Sequence, residues 1–166
     1  MILSSICIKP TCVKTRKPLM QSVTQRRRTM PITCQFKPDA RLVIFAHVGV
    51  VPDDEFLASY NAFYEDPRFD KSFNLLVDLR RTDSSVRSSE ALHKLANFVR
   101  RELASTAARP KIAVVAPEDI SFGLARMYEV LSDTVPWDFA VFRAPDAALA
   151  WLRVPENVMD DLEQNA

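Results

Sequence analysis

Four apolar runs, RLVIFAHV (41–48), FNLLVDL (73–79), KIAVVA (111–116) and WDFAVF (137–142), constrain the fold more than anything else in the chain. Each has the length of a strand and too little alternation to leave one face in water, so both faces of the sheet they form must be covered. The segments between them change period. Phe56, Leu57, Tyr60, Phe63 and Tyr64 share one helical face behind an opening Pro52-Asp53-Asp54, where a proline and acidic side chains suit a helix N-terminus. Leu92, Leu95, Ala96, Val99 and Leu103 make a second stripe, and Ile120, Leu124, Met127, Tyr128 and Leu131 a third over 118–133. A short last helix, DAALAWL (146–152), turns Ala148, Trp151 and Leu152 inward. ITCQFKP (32–38) adds a strand, and Pro38-Asp39-Ala40 joins it to the run at 41–48 by a connection too short for anything but an antiparallel hairpin. Strands alternating with helices predict a small α/β domain. Its sheet is mixed, mostly parallel and five-stranded, with an N-terminal hairpin and about four helices.

Charge divides the chain. Residues 1–29 hold seven of the 22 basic residues and no acidic one, leaving 15 basic against 21 acidic over 30–166, a net of −6. The first 29 residues show neither helical nor strand periodicity. Their composition suits a basic targeting peptide, a disordered arm, or upstream sequence before a start at Met30-Pro31; a disordered leader or mis-assigned start is the expectation. The domain is expected over 30–154, followed by an acidic tail over 155–166 that frays. An acidic body without a basic stripe argues against nucleic-acid binding by the domain.

Much chemistry is excluded by what the chain lacks. Its two glycines, Gly49 and Gly123, cannot build a phosphate-cradling loop, so neither a P-loop nor a dinucleotide fingerprint is present. Cys7, Cys12 and Cys34 form no paired motif, and His47 and His93 have no ligand spacing, so no metal and no cofactor is expected. His47 reads as a packed strand histidine and His93 as a solvated one. No catalytic constellation emerges, and the chain reads as a non-enzyme. No apolar run approaches the roughly 18 residues of a membrane span. Few, scattered cysteines suit a reducing cytoplasm.

The stretch LLVDLRRTDSS (75–85) resembles the STAS domain of anti-sigma-factor antagonists of the SpoIIAA type. In that family an Asp-Ser-Ser tripeptide starts a helix, and the serine after the aspartate is phosphorylated by a partner kinase. The resemblance carries that role to Ser84, with Ser85 beside it, although the spacing from Asp78-Leu79 is short and Val86 stands where the family has glycine. A wider likeness covers about 32–152 and rests on LLVDLR, KIAVVAPEDISFGLARMYEVL and VFRAPDAALAWL. It is to the bacterial SpoIIAA-like, or STAS-like, group, distantly related to lipid-binding CRAL-TRIO domains. The group implies the architecture derived above and brings no established activity.

Three sites follow. Ser84 and Ser85 are candidate phosphoacceptors, with Arg80, Arg81 and Arg87 near enough in sequence to pair with a phosphate; equally, they are helix caps. Asp83, Arg87, Phe122, Gly123 and Arg126 are a candidate partner or ligand surface, with Phe122 and Arg126 adjacent on the outer face of their helix and Gly123 inviting a close approach. Phe56, Tyr60, Phe63 and Tyr64 are a candidate apolar pocket, the Tyr hydroxyls sitting at its rim. The first reading is a regulatory or protein-interaction module whose partner is an anti-sigma-type kinase or a second copy. The alternative is a carrier of a small apolar, lipid-like ligand.

Overall fold

A computed structural model of the protein describes residues 31–159. Strands β1 (Ile32–Lys37), β2 (Leu42–Val50), β3 (Asn74–Asp83), β4 (Lys111–Val115) and β5 (Asp138–Phe142) form one sheet in the order β1-β2-β3-β4-β5. β1 pairs antiparallel with β2 through a hairpin closed by a 3-10 turn at Pro38–Ala40, and every other pairing is parallel. The helices are α1 (Asp53–Glu65), α2 (Ser89–Leu103), α3 (Asp119–Leu131) and α4 (Pro145–Leu152). The α/β class, the hairpin, the five-stranded mixed sheet and the four helices are as the sequence predicts.

The strand order explains the layering. Parallel crossovers share one hand, so a sheet that grows in one direction keeps its crossover helices on one face. Accordingly α1, α2 and α3 pack with Val43, Phe45, Leu75, Val77, Ile112 and Val114 in the larger core. The alternate strand residues, Leu42, Ile44, Leu76, Ala113 and Val115, face the opposite way and are covered by α4. One short helix does not cover that face, and the chain beyond it contributes. Glu156–Met159 forms a 3-10 turn and Met159 is only 6% exposed, so the expected fraying at 155 does not begin there. The basic leader (1–29) and residues 160–166 of the tail lie outside the described residues.

Two sequence expectations are corrected at the element level. β3 does not stop at Leu79 but continues to Asp83, pairing Arg81, Thr82 and Asp83 with Val48, Gly49 and Val50. A register shift interrupts the ladder, since Ala46 pairs with Asp78 while Val48 pairs with Arg81. The extra β3 residue flips the alternation, so Leu79 and Thr82, three apart, face the same side. The stripe of α3 holds for Leu124, Met127, Tyr128 and Leu131, which pack on the larger core, and fails at its first member. Ser121, Ala125 and Tyr128 are its buried positions, whereas Ile120 is 59% exposed. The apolar count favoured Ile120, but it stands in the first turn of the helix and faces solvent. α4 shows a smaller shift, burying Ala148, Leu149 and Leu152 with Trp151 half-buried.

Candidate functional site: a polar-lipped cavity under the helical layer

Between the sheet and the α1–α3 layer lies a cavity of about 90 Å³. A water needs roughly 10–15 Å³ on this measure, so the space suits a small organic molecule or several waters. The strands supply its floor through Leu75, Val77, Ile112 and Val114, and the helices its roof through Leu92, Leu95, Leu124 and Ala125. Of the aromatic residues expected to form an apolar pocket, Phe56, Tyr60 and Tyr64 line the cavity. Phe63 does not. Its ring sits among Phe45 (4.7 Å between centroids) and Phe69 (4.2 Å), and it borders a second, much smaller pocket with Tyr64 and Phe69.

Polar atoms in these walls lack partners. His47 Nε2 and Trp137 Nε1 are buried with no hydrogen-bond partner among the described residues. Burial, reinforced by the nearby Arg87 charge and partly opposed by Asp78, drives the His47 pKa down to about 3 and keeps the ring neutral. Burial likewise raises the Tyr60, Tyr64 and Tyr128 phenols, which stay protonated. A buried polar group without a partner costs about 1–3 kcal/mol, so these two atoms stand out among the otherwise apolar lining residues.

The lip of the cavity is the segment singled out by its serines. Asp83 Oδ1 accepts from Ser85 N (2.9 Å) and caps a 3-10 turn at Ser84–Val86. Thr82 Oγ1 donates to Gly49 O (2.8 Å), and Ser121 Oγ at the start of α3 donates to Ser84 Oγ (2.8 Å). Thr82, Asp83, Ser84 and Arg87 all reach the cavity. The Arg87 guanidinium lies 3.7 Å from the centre of the Phe56 ring, donates to Val51 O (3.1 Å) and pairs with Asp53. Asp53 is held below the usual carboxylate range. Its partial burial pulls the other way, but hydrogen bonds from Ser88 and Arg87 outweigh it. This clamp ties the start of α1 to the chain entering α2.

The serines do not start α2. Its N-cap is Ser88, whose hydroxyl accepts from Ala91 N (3.1 Å), and Ser84 and Ser85 belong to the preceding 3-10 turn. The expected cap at Ser84 or Ser85 is therefore corrected to Ser88, four residues beyond the first and three beyond the second. Arg80 is also removed from that neighbourhood, its guanidinium paired with the buried Asp78 (Nη2–Oδ2 3.0 Å).

The other surface candidates do not join the lip. Arg126 is exposed on the outer side of α3 and pairs with Glu129. Phe122 is half-buried rather than exposed, with the Arg143 guanidinium 4.1 Å from its ring centre. Gly123 is exposed and nothing approaches within 4 Å of where a Cβ would stand, so the expected close contact is absent there. What sequence reasoning missed is the deep end, Trp137 and Tyr128 with His47 in the wall. Both faces were legible, His47 through its alternation with Val43 and Phe45 and Trp137 through its alternation with Phe139 and Val141; that they border one cavity was not.

Among the described residues no group of three or more His, Cys, Asp or Glu could hold a metal ion, and no helix is long and apolar enough to cross a membrane. Fold and site together define a small α/β domain with a cavity of about 90 Å³ whose polar lip lies near the carboxyl end of β3, where open α/β sheets place their sites. No protein-family model and no curated protein matches the chain. Among solved structures it is similar to an uncharacterized protein of the DUF3478 family from Shewanella loihica PV-4, described as having a SpoIIAA-like fold. The two share 17% identity over 73% of this chain and 91% of that one, with a TM-score of 0.49.

Proposed function

We propose that the protein is a non-enzymatic STAS-like module that binds a small, mostly apolar molecule in its cavity. The observation that carries this reading is the pairing of apolar walls with partnerless buried atoms at His47 and Trp137. A mostly apolar pocket with a few polar groups in its walls is the usual form of a small-molecule site. Catalysis is not favoured: His47 stays neutral with its Nε2 unpartnered among the described residues, and Arg87 is committed to Asp53.

A regulatory role is the second reading, and the lip favours it. Val50, Val86 and Ile120 are 54%, 47% and 59% exposed, and they stand at the end of β2, in the 3-10 turn and at the start of α3. A partner protein reading this apolar margin would sense whether the cavity beneath is filled. Phosphorylation of Ser84 or Ser85 has less support, because neither sits at a long helix N-terminus where the dipole favours a phosphate. The cytoplasm of a bacterium is the setting this reading assumes.

Native and denaturing mass spectrometry of the protein isolated from its own host tests both. A mass lost only on denaturation supports the cavity reading. A covalent phosphate on Ser84 or Ser85 with no released compound would replace it with the switch.

A further inference from the structure

We infer that the molecule held in the cavity is uncharged and presents a hydrogen-bond-accepting oxygen to the indole N–H of Trp137. This rests on the reading of the cavity as a binding site and specifies its ligand.

Three observations lead there. First, Trp137 is 7% exposed and its Nε1 has no partner among the described residues. An indole N–H only donates, so whatever meets it must accept. Its flanking rings, Tyr128 at 6.2 Å and Phe139 at 5.8 Å between centroids, make the surroundings apolar, where an unmet donor is costly.

Second, the charge around the cavity leaves nothing for an ionised ligand. Of the residues lining it only Arg87 and Asp83 carry charge, and Arg87 is already paired with Asp53. One cation stands against two carboxylates. An ionised fatty acid would lose its hydration without gaining a free counter-ion, and a cation would meet Arg87 at the lip. A ketone, ester, ether or alcohol pays no such penalty.

Third, the strand registers separate the two partnerless groups. Leu42, Asn74, Lys111 and Asp138 lie in one row across the sheet, Trp137 lies one residue before it and His47 five residues beyond Leu42. Six residues of strand span roughly 20 Å. The accepting oxygen therefore sits at the deep end, far from the lip formed by Asp83 and Ser84. His47 is the more adaptable group, because a neutral imidazole donates from one nitrogen and accepts at the other.

The test compares 2-octanone, octanoate and octane at neutral pH, following affinity by calorimetry and the two indole N–H resonances by NMR. Trp151 packs on the α4 face and serves as the internal control. The expected result is that 2-octanone binds at least ten-fold more tightly than octanoate and moves the Trp137 resonance but not that of Trp151. Trp137→Phe should cut the ketone's affinity about ten-fold and leave that of octane unchanged. If the variant does not fold, the indole shift in the native protein decides. Octanoate binding as tightly as the ketone, or ketone binding with the Trp137 resonance unmoved, would overturn this inference while leaving the cavity reading standing. Binding of none of the three would overturn both.

Discussion

His47 and Arg87 set the chemistry of the cavity from opposite directions. His47 is 5% exposed and stays neutral down to about pH 3, whereas in the unfolded chain it takes up a proton near pH 6.5. Between those values the unfolded state binds more protons, so stability present above pH 6.5 is lost as the pH falls. The slope is up to about 1.4 kcal/mol per pH unit. Denaturant unfolding at pH 7 and pH 5 should show that loss, and His47→Gln should remove about 2 kcal/mol of it. An unchanged pH dependence in the variant would place the titration elsewhere. Arg87 keeps its charge through Asp53, with its side chain only 9% exposed. Arg87→Ala leaves Asp53 without its cation and uncovers the Phe56 ring. We expect a loss of about 2 kcal/mol, below the range for a fully buried pair because Asp53 remains partly in water. Chemical denaturation measures it directly.

The elements that form the lip have separable roles. Ser88 caps α2, so Ser88→Ala should destabilise the domain by about 1 kcal/mol, and more if the hydroxyl's bond to Asp53 also counts. Ser84→Ala leaves that cap intact and removes only the Ser121 hydroxyl's partner, tying the 3-10 turn to α3 less tightly. Hydrogen exchange distinguishes them. Ser88→Ala should loosen the first turn of α2, while Ser84→Ala should loosen residues 84–86 and the start of α3. Identical exchange patterns in the two variants would contradict this division. The reason Ser88 rather than Ser84 or Ser85 caps the helix is the length of β3. Its ladder with β2 continues past the register shift to Asp83, and the 3-10 turn uses the next residues before a helix can begin.

At the scale of the molecule, the sequence carried the architecture well because burial on both strand faces and a 3.6-residue helix period are local signals. The stripe of α2 and the antiparallel hairpin follow from them directly. The site was half legible. Phe56, Tyr60 and Tyr64 were readable as an aromatic face and Asp83, Ser84 and Arg87 as a polar segment, but nothing local says that they border one cavity. That juxtaposition depends on the parallel pairing of β2 with β3 and on the packing of α3 against the 3-10 turn, both contacts between residues far apart in the chain. The start of α3 shows the same limit. Its apolar count favoured Ile120, whereas tertiary packing chose Ser121 and Ala125.

The measurement that bears most directly on the cavity is a titration with 1-aminoanthracene, a small uncharged fluorophore that brightens in apolar surroundings. It should be run on the native protein and on Ala125→Leu, which grows a side chain from α3 into the cavity wall. Folding of the variant is checked by its thermal unfolding, where overpacking should cost no more than about 1–3 kcal/mol. Saturable one-to-one binding by the native protein, reduced at least ten-fold in the folded variant, is the predicted result. Equal binding by both proteins, or no saturable binding by the native one, would contradict a ligand site between the sheet and the α1–α3 layer.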